Sequence, residues 1–157
     1  GRFSWRESII RGETADCNAF HAFGGVAGHA GWFGDAAGLL RVAEALAEPA
    51  LAAQLGAAHG PQPSGAFRQG MGVRVYEHRW RGEQRTFVGH PGFTGTFVAA
   101  APETPHAPRV LTVMLTNRLH GAPPPARTAL APVDDLWRRA VDAADRILHA
   151  SGTGGLS

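Results

Sequence analysis

The sequence of 157 residues contains no lysine, because all 15 residues counted as lysine or arginine are arginines. A lysine base or Schiff base is therefore excluded within this chain. The single cysteine, Cys17, excludes an internal disulfide and a multi-cysteine zinc site. No apolar run approaches the roughly 20 residues that span a bilayer, and residues 1–11 are too charged to be expected to form a signal peptide. We expect no membrane span, while localisation stays open.

The composition is that of a globular chain, with 44% hydrophobic and 18% charged residues. Residues 1–35 lack helical or strand periodicity and are rich in glycine, which predicts a tightly turning loop region. A helical segment is predicted over residues 36–58 from the apolar stripe of Leu39, Val42, Ala43 and Leu46, with a loop following at residues 59–65.

Residues 70–150 are predicted to hold strands followed by a helix. Met71–Trp80, Thr96–Ala101 and Val110–Thr116 have strand composition, and Arg81-Gly82-Glu83 is typical of a hairpin turn. An apolar stripe from Val133 through Trp137 to Leu148 predicts a C-terminal helix. The fold class is therefore α+β, with an antiparallel sheet of about three strands and a packed C-terminal helix. One helix leaves a sheet face and an edge uncovered, so we expect one incomplete domain that self-associates or binds a missing part.

Two segments are more specific than their surroundings. The first combines Asp16-Cys17-Asn18-Ala19 with the glycine-rich stretch Gly24–Phe33. The second is Gly89-His90-Pro91-Gly92-Phe93-Thr94-Gly95-Thr96, followed by the apolar strand that ends in Thr116-Asn117-Arg118.

Together these segments resemble the C-terminal half of the class C β-lactamase-related serine hydrolases, which include D-alanyl-D-alanine peptidases and esterases. In that family an Asp-x-Asn-Ala stretch precedes a Gly-Gly-x-Ala-Gly-His-Ala-Gly loop, and a Lys/His-x-Gly strand comes later. The resemblance covers residues 12–149 and implies part of a serine β-lactamase-like (DD-peptidase) fold. Thr14 and Ala15 depart from the Val-His pair that the family has there.

The resemblance implies a catalytic strand made of His90, Gly92 and Phe93. The backbone N–H of Phe93 would stabilise the oxyanion, and the absence of a side chain at Gly92 would let substrate approach the strand. His90 would stand where β-lactamases have lysine, moving a proton or contacting a substrate carboxylate. Pro91 and Thr94 would line the substrate site. No cofactor and no metal is implied.

Three residues of the first segment are expected to support the site without taking part in the chemistry. Asp16 and Asn18 are expected to tie the loop by hydrogen bonds. His29 is expected to be a buried, hydrogen-bonded core histidine.

The family's nucleophile and its activating tyrosine have no counterpart in this chain. None of the five serines, Ser4, Ser8, Ser64, Ser151 and Ser157, is followed by lysine three positions later. Ser8 is followed by Arg11, which stays protonated and cannot act as a base. The single tyrosine begins Tyr76-Glu77-His78, which departs from Tyr-x-Asn. We expect this chain alone to be inactive, as truncation would produce, and an intact protein to hydrolyse a β-lactam, a D-Ala-type peptide or an ester.

Three alternative functions remain. A metal hydrolase is disfavoured because no clustered histidine motif occurs. A nucleic-acid interface, built from Tyr76, Trp80, Arg74, Arg79, Arg81 and Arg85, is disfavoured by the interspersed glutamates and the net charge of +2. The third is a non-catalytic, penicillin-binding-like module that binds peptides or a partner chain, and it would share every motif named above.

Overall fold

The computed structural model describes residues 9–57, 67–118 and 131–152. These residues form two compact units, one made of residues 9–35 and the other of residues 36–57, 67–118 and 131–152. The loop expected at residues 59–65 lies outside the described residues. No helix in the described ranges is long and apolar enough to cross a membrane.

The second unit contains every strand of the described chain and three of its helices. In chain order the elements are α1 (Cys17–Ala22), α2 (Ala36–Leu46), α3 (Pro49–Gly56), β1 (Arg68–Gln69), β2 (Arg74–Trp80), β3 (Glu83–Pro91), β4 (Phe97–Ala101), β5 (Val110–Met114) and α4 (Val133–Gly152). The α+β class and the C-terminal helix are thus confirmed.

The sheet has five antiparallel strands in the order β1-β2-β3-β4-β5, where about three were expected. β1 has only two residues, too few for a sequence pattern to show, whereas β3 is the second arm of the predicted hairpin and includes His90 of the strand that the resemblance implies. The predicted turn is present between β2 and β3, where Trp80 pairs with Glu83. Arg81 and Gly82 both have positive φ, which matches the twist of a two-residue hairpin.

Helix α4 covers one face of the sheet and builds the main core. Trp137 is 1% exposed and stacks on Phe97 with ring centroids 4.8 Å apart, while its indole N–H donates to Thr112 Oγ1 at 2.9 Å. The predicted stripe packs at Val133, Trp137 and Val141, but it is wrong at its far end, because Ile147 and Leu148 are exposed. Asp145 already accepts a hydrogen bond from Arg81 N in the turn that ends the β2–β3 hairpin, so the helix has reached the end of that hairpin before Ile147.

Helices α2 and α3 cover the opposite face, so the expectation of an uncovered sheet face is wrong. Ala43 and Ala47 of α2 pack on Ala100 of β4, and Ala52 of α3 packs on Val75 and Val88. Alanine at these contacts lets helix and sheet approach closely. Val42, expected on the buried stripe of α2, is instead 49% exposed, since Ala43 and Ala47 set the contact.

The first unit contains a helix that the sequence pattern does not indicate. α1 is only six residues long, and Asp16 caps it by accepting a hydrogen bond from Ala19 N at 2.7 Å. Six residues are too few for an amphipathic period to be seen. The remainder of residues 9–35 is turns and bends, including an isolated bridge between Ala27 and Ala30.

Candidate functional site

His90 lies near the end of β3, opposite Val98 of β4, and its side chain is exposed. Its ring Nδ1 is 2.7 Å from the carbonyl oxygen of Pro91. A carbonyl can only accept a hydrogen bond, so Nδ1 carries the proton in this contact. In the neutral ring the lone pair therefore lies on Nε2, the nitrogen that could accept a proton from a reacting group.

Pro91 and Gly92 bring β3 to its end. Pro91 pairs with Phe97, and Gly92 N donates to Thr96 O at 2.7 Å. A Cβ added at Gly92 would overlap Thr96 Oγ1. The resemblance implies that glycine is needed at position 92 so that substrate can approach the strand. The structure gives a second reason for glycine there, because the Thr96 hydroxyl occupies the space that a side chain would need.

Phe93, Thr94 and Gly95 form the turn between β3 and β4. Gly95 N donates to Gly92 O at 3.1 Å, and Gly95 has a φ of +107°, a conformation that glycine adopts readily. The side chain of Phe93 is 46% exposed, and Thr94 is half-buried. His90 to Thr94 are thus contiguous along one strand end and its turn.

The segment that follows β5 holds this turn from one side. Thr116 Oγ1 donates to Gly95 O, Arg118 N donates to Thr94 O at 3.1 Å, and the Arg118 side chain donates through Nε to Phe93 O at 2.6 Å. Thr116 and Arg118 belong to a segment that resembles the family, but the sequence alone predicts no role for them. Their position directly after β5 is the only sequence feature that points to this contact.

The first unit has its own polar contact between Asp16 and His29. Asp16 Oδ1 is 3.2 Å from His29 Nε2, and the same carboxylate caps α1. The N–H of Ala19, aided by His29, holds the pKa of Asp16 below its usual value. His29 is hydrogen-bonded as expected but exposed rather than buried, because its ring reaches Asp16 at the surface of this unit. Asn18 is exposed in the first turn of α1.

Several residues of the nucleic-acid alternative are buried or paired within the described structure and are not free to contact a nucleic acid. Tyr76 is fully buried and Arg85 is 4% exposed, with its guanidinium donating to Pro102 O and Pro108 O. Arg74 pairs with Asp134, their nearest atoms 2.8 Å apart. A stacking tyrosine and a continuous arginine surface are therefore not available on this hairpin. Within the described ranges, no three metal-ligating side chains lie close enough to hold an ion.

The second unit is thus an antiparallel sheet between helices, with His-Pro-Gly at the end of β3 and a tight turn after it. The family model described as Beta-lactamase matches residues 4–134, so the chain belongs to the Beta-lactamase family. No curated protein matches the chain. No solved structure matches it either.

Proposed function

We propose that this chain supplies one wall of a serine hydrolase active site, whose serine nucleophile and activating lysine come from residues outside it. The observation that carries the proposal is the strand end His90–Phe93 in a Beta-lactamase family fold, followed by a turn held in place at three carbonyls. Phe93 N–H would donate to the oxyanion of an acyl-enzyme reaction. Pro91 and Thr94 would line the substrate site.

His90 would accept or return the proton at the leaving group through Nε2. The hydrogen bond from Nδ1 to the Pro91 carbonyl orients the ring and selects this tautomer. Because Nδ1 is engaged with Pro91 O, proton transfer and contact with a substrate carboxylate would both use Nε2. The substrate would be a β-lactam, a D-Ala-type peptide or an ester.

The partner in this proposal is a segment or chain that carries Ser-x-x-Lys and Tyr-x-Asn. The proposal does not include self-association through an open sheet face, because α2 and α3 cover that face. Asp16, Asn18 and His29 keep their proposed role as support for the loop region.

The second candidate is a penicillin-binding-like module that binds a peptide or partner without chemistry. The observation in its favour is the sequence itself, in which no serine is followed by lysine three positions later. Such a module would bind a D-Ala-D-Ala peptide in calorimetry, and its presence would add no turnover to any Ser-x-x-Lys partner.

The test is replacement of His90 in a protein that joins this chain to a Ser-x-x-Lys segment of the same family. His90→Ala is expected to lower kcat/KM for an ester or β-lactam by about 100-fold, the contribution of one general acid–base group. His90→Lys should retain part of the activity. The control is His106→Ala, an exposed histidine in the turn between β4 and β5, which should leave turnover unchanged.

Equal kcat/KM for the wild type and His90→Ala would remove His90 from the mechanism. No turnover in any form, together with peptide binding by the chain alone, would support the non-catalytic module instead.

A further inference from the structure

The turn after β3 has a donor for each of its four successive carbonyls. Gly92 O accepts from Gly95 N at 3.1 Å, inside the turn. Phe93 O and Thr94 O accept from Arg118, the first through Nε and the second through the backbone N–H. Gly95 O accepts from the hydroxyl of Thr116. The three carbonyls that point away from the turn are therefore all held by residues 116–118.

The Arg118 guanidinium makes hydrogen bonds to two different segments of the chain. Nε donates to Phe93 O at 2.6 Å, and Nη1 donates to Ala131 O at 2.8 Å, two residues before α4 begins. The guanidinium carbon also lies 5.2 Å from the centroid of the Phe93 ring. Arginine presents several donors in one rigid plane, so a single side chain can hold the turn against the start of α4.

We propose that Arg118 is a positioning residue that limits rotation of the backbone at Phe93, and so helps Gly95 N to keep the Phe93 N–H in one direction. Each peptide unit is planar, so fixing a carbonyl also fixes the N–H on the same unit. Gly95 N fixes the Gly92–Phe93 unit, and Arg118 Nε fixes the Phe93–Thr94 unit, so the backbone of Phe93 is held on both sides. A donor stabilises an oxyanion well only when it is oriented before the charge develops. This inference rests on the proposed function of Phe93.

The first experiment measures backbone amide exchange by NMR on the 157-residue chain, which needs no activity. Arg118→Ala removes the bonds to Phe93 O and Ala131 O but keeps the backbone bond to Thr94 O. We expect exchange of the Gly95 amide to become about tenfold faster, the effect of losing a charge-assisted hydrogen bond next to it. The Phe93 amide resonance should also shift.

The matched control is Arg79→Ala. Arg79 is also an arginine that donates to a hairpin-turn carbonyl, Gly82 O at 2.9 Å, but in the turn between β2 and β3. It should leave Gly95 exchange unchanged. If the alanine variant does not fold, Arg118→Lys, which keeps the charge, is used to measure the effect on Gly95 amide exchange. One ammonium cannot reproduce the planar fork, so Gly95 protection should fall here too.

The second experiment is kinetic, in the same Ser-x-x-Lys-containing protein used for His90. Arg118→Ala should lower kcat by about tenfold or more with KM nearly unchanged, because the oxyanion exists only in the transition state. Added ethylguanidine should restore part of the loss. Unchanged Gly95 exchange in the Arg118 variants would overturn the positioning role, and so would unchanged kcat with wild-type turnover present. Absence of turnover in the wild type would instead refute the proposed function and leave the exchange result to decide the role of Arg118.

Discussion

Tyr76 is the chain's single tyrosine, and its hydroxyl serves the interior of the fold. The side chain is fully buried, and its O–H donates to Asp134 Oδ1 at 3.0 Å beside the Arg74–Asp134 ion pair. Burial, together with the Asp134 carboxylate, raises the pKa of Tyr76 well above its usual value of 10. A phenol held in its protonated form cannot act as the base that the family's Tyr-x-Asn tyrosine provides.

Tyr76→Phe is expected to lower the free energy of unfolding by about 2 kcal/mol, since it removes a hydrogen bond to a carboxylate and keeps the ring packing. The raised pKa means that the folded state favours the protonated hydroxyl. The contribution of the Tyr76 hydroxyl to the free energy of unfolding is therefore complete below pH 10 and declines as the pH rises above that value. Urea denaturation of both forms between pH 7 and 11 measures this difference. A difference that grows with alkaline pH would contradict the assignment.

At the scale of elements, the hairpin of β3 and β4 is the part of the fold that carries the candidate site. Its turn approaches the segment after β5 so closely that a Cβ at Gly95 would overlap Thr116 Oγ1 and crowd Arg118 N. Gly82, in the other well-defined hairpin, also has positive φ, but nothing lies within 4 Å of its Cβ position. Substitution of Gly82 therefore tests only the cost of positive φ, whereas substitution of Gly95 tests that cost together with the cost of a steric overlap.

Gly82→Ala should cost about 1 kcal/mol in unfolding free energy, because only the left-handed conformation is penalised. Gly95→Ala should cost about 2 kcal/mol more, since Thr116 must also move. Urea denaturation of the two variants gives the comparison. Equal losses would mean that the approach of residues 116–118 to the turn does not constrain it.

Local pattern accounts for the elements that were predicted correctly. The apolar period indicates the helical segment that contains α2 and α3, the stripe from Val133 indicates α4, and the apolar run from Val110 indicates β5. What the sequence did not predict depends on contacts distant along the chain. The role of Arg118 depends on hydrogen bonds to Phe93 and Ala131, which lie far from it in the sequence or in another segment. The exposure of His29 depends on how the chain turns between residues 16 and 29.

At the scale of the whole molecule, the sheet of the second unit is covered on both faces. Trp137 centres the core under α4, while alanines of α2 and α3 close the other face. The chain belongs to the Beta-lactamase family, and β3 of this sheet ends beside His90 and Phe93, the residues proposed for the site. The sequence contains the acid–base and oxyanion groups proposed for an acyl-enzyme hydrolase, and it contains no Ser-x-x-Lys.

The central claim is that the acylated serine is not one of this chain's own. The most direct test is intact-mass spectrometry after incubation with a fluorophosphonate, first of this chain alone and then with a Ser-x-x-Lys segment of the family. We predict that the chain keeps its unmodified mass of 16.5 kDa in both samples and that the adduct appears on the added segment. An adduct on the 16.5 kDa chain would mean that one of its five serines is a nucleophile activated without lysine, and would contradict the account.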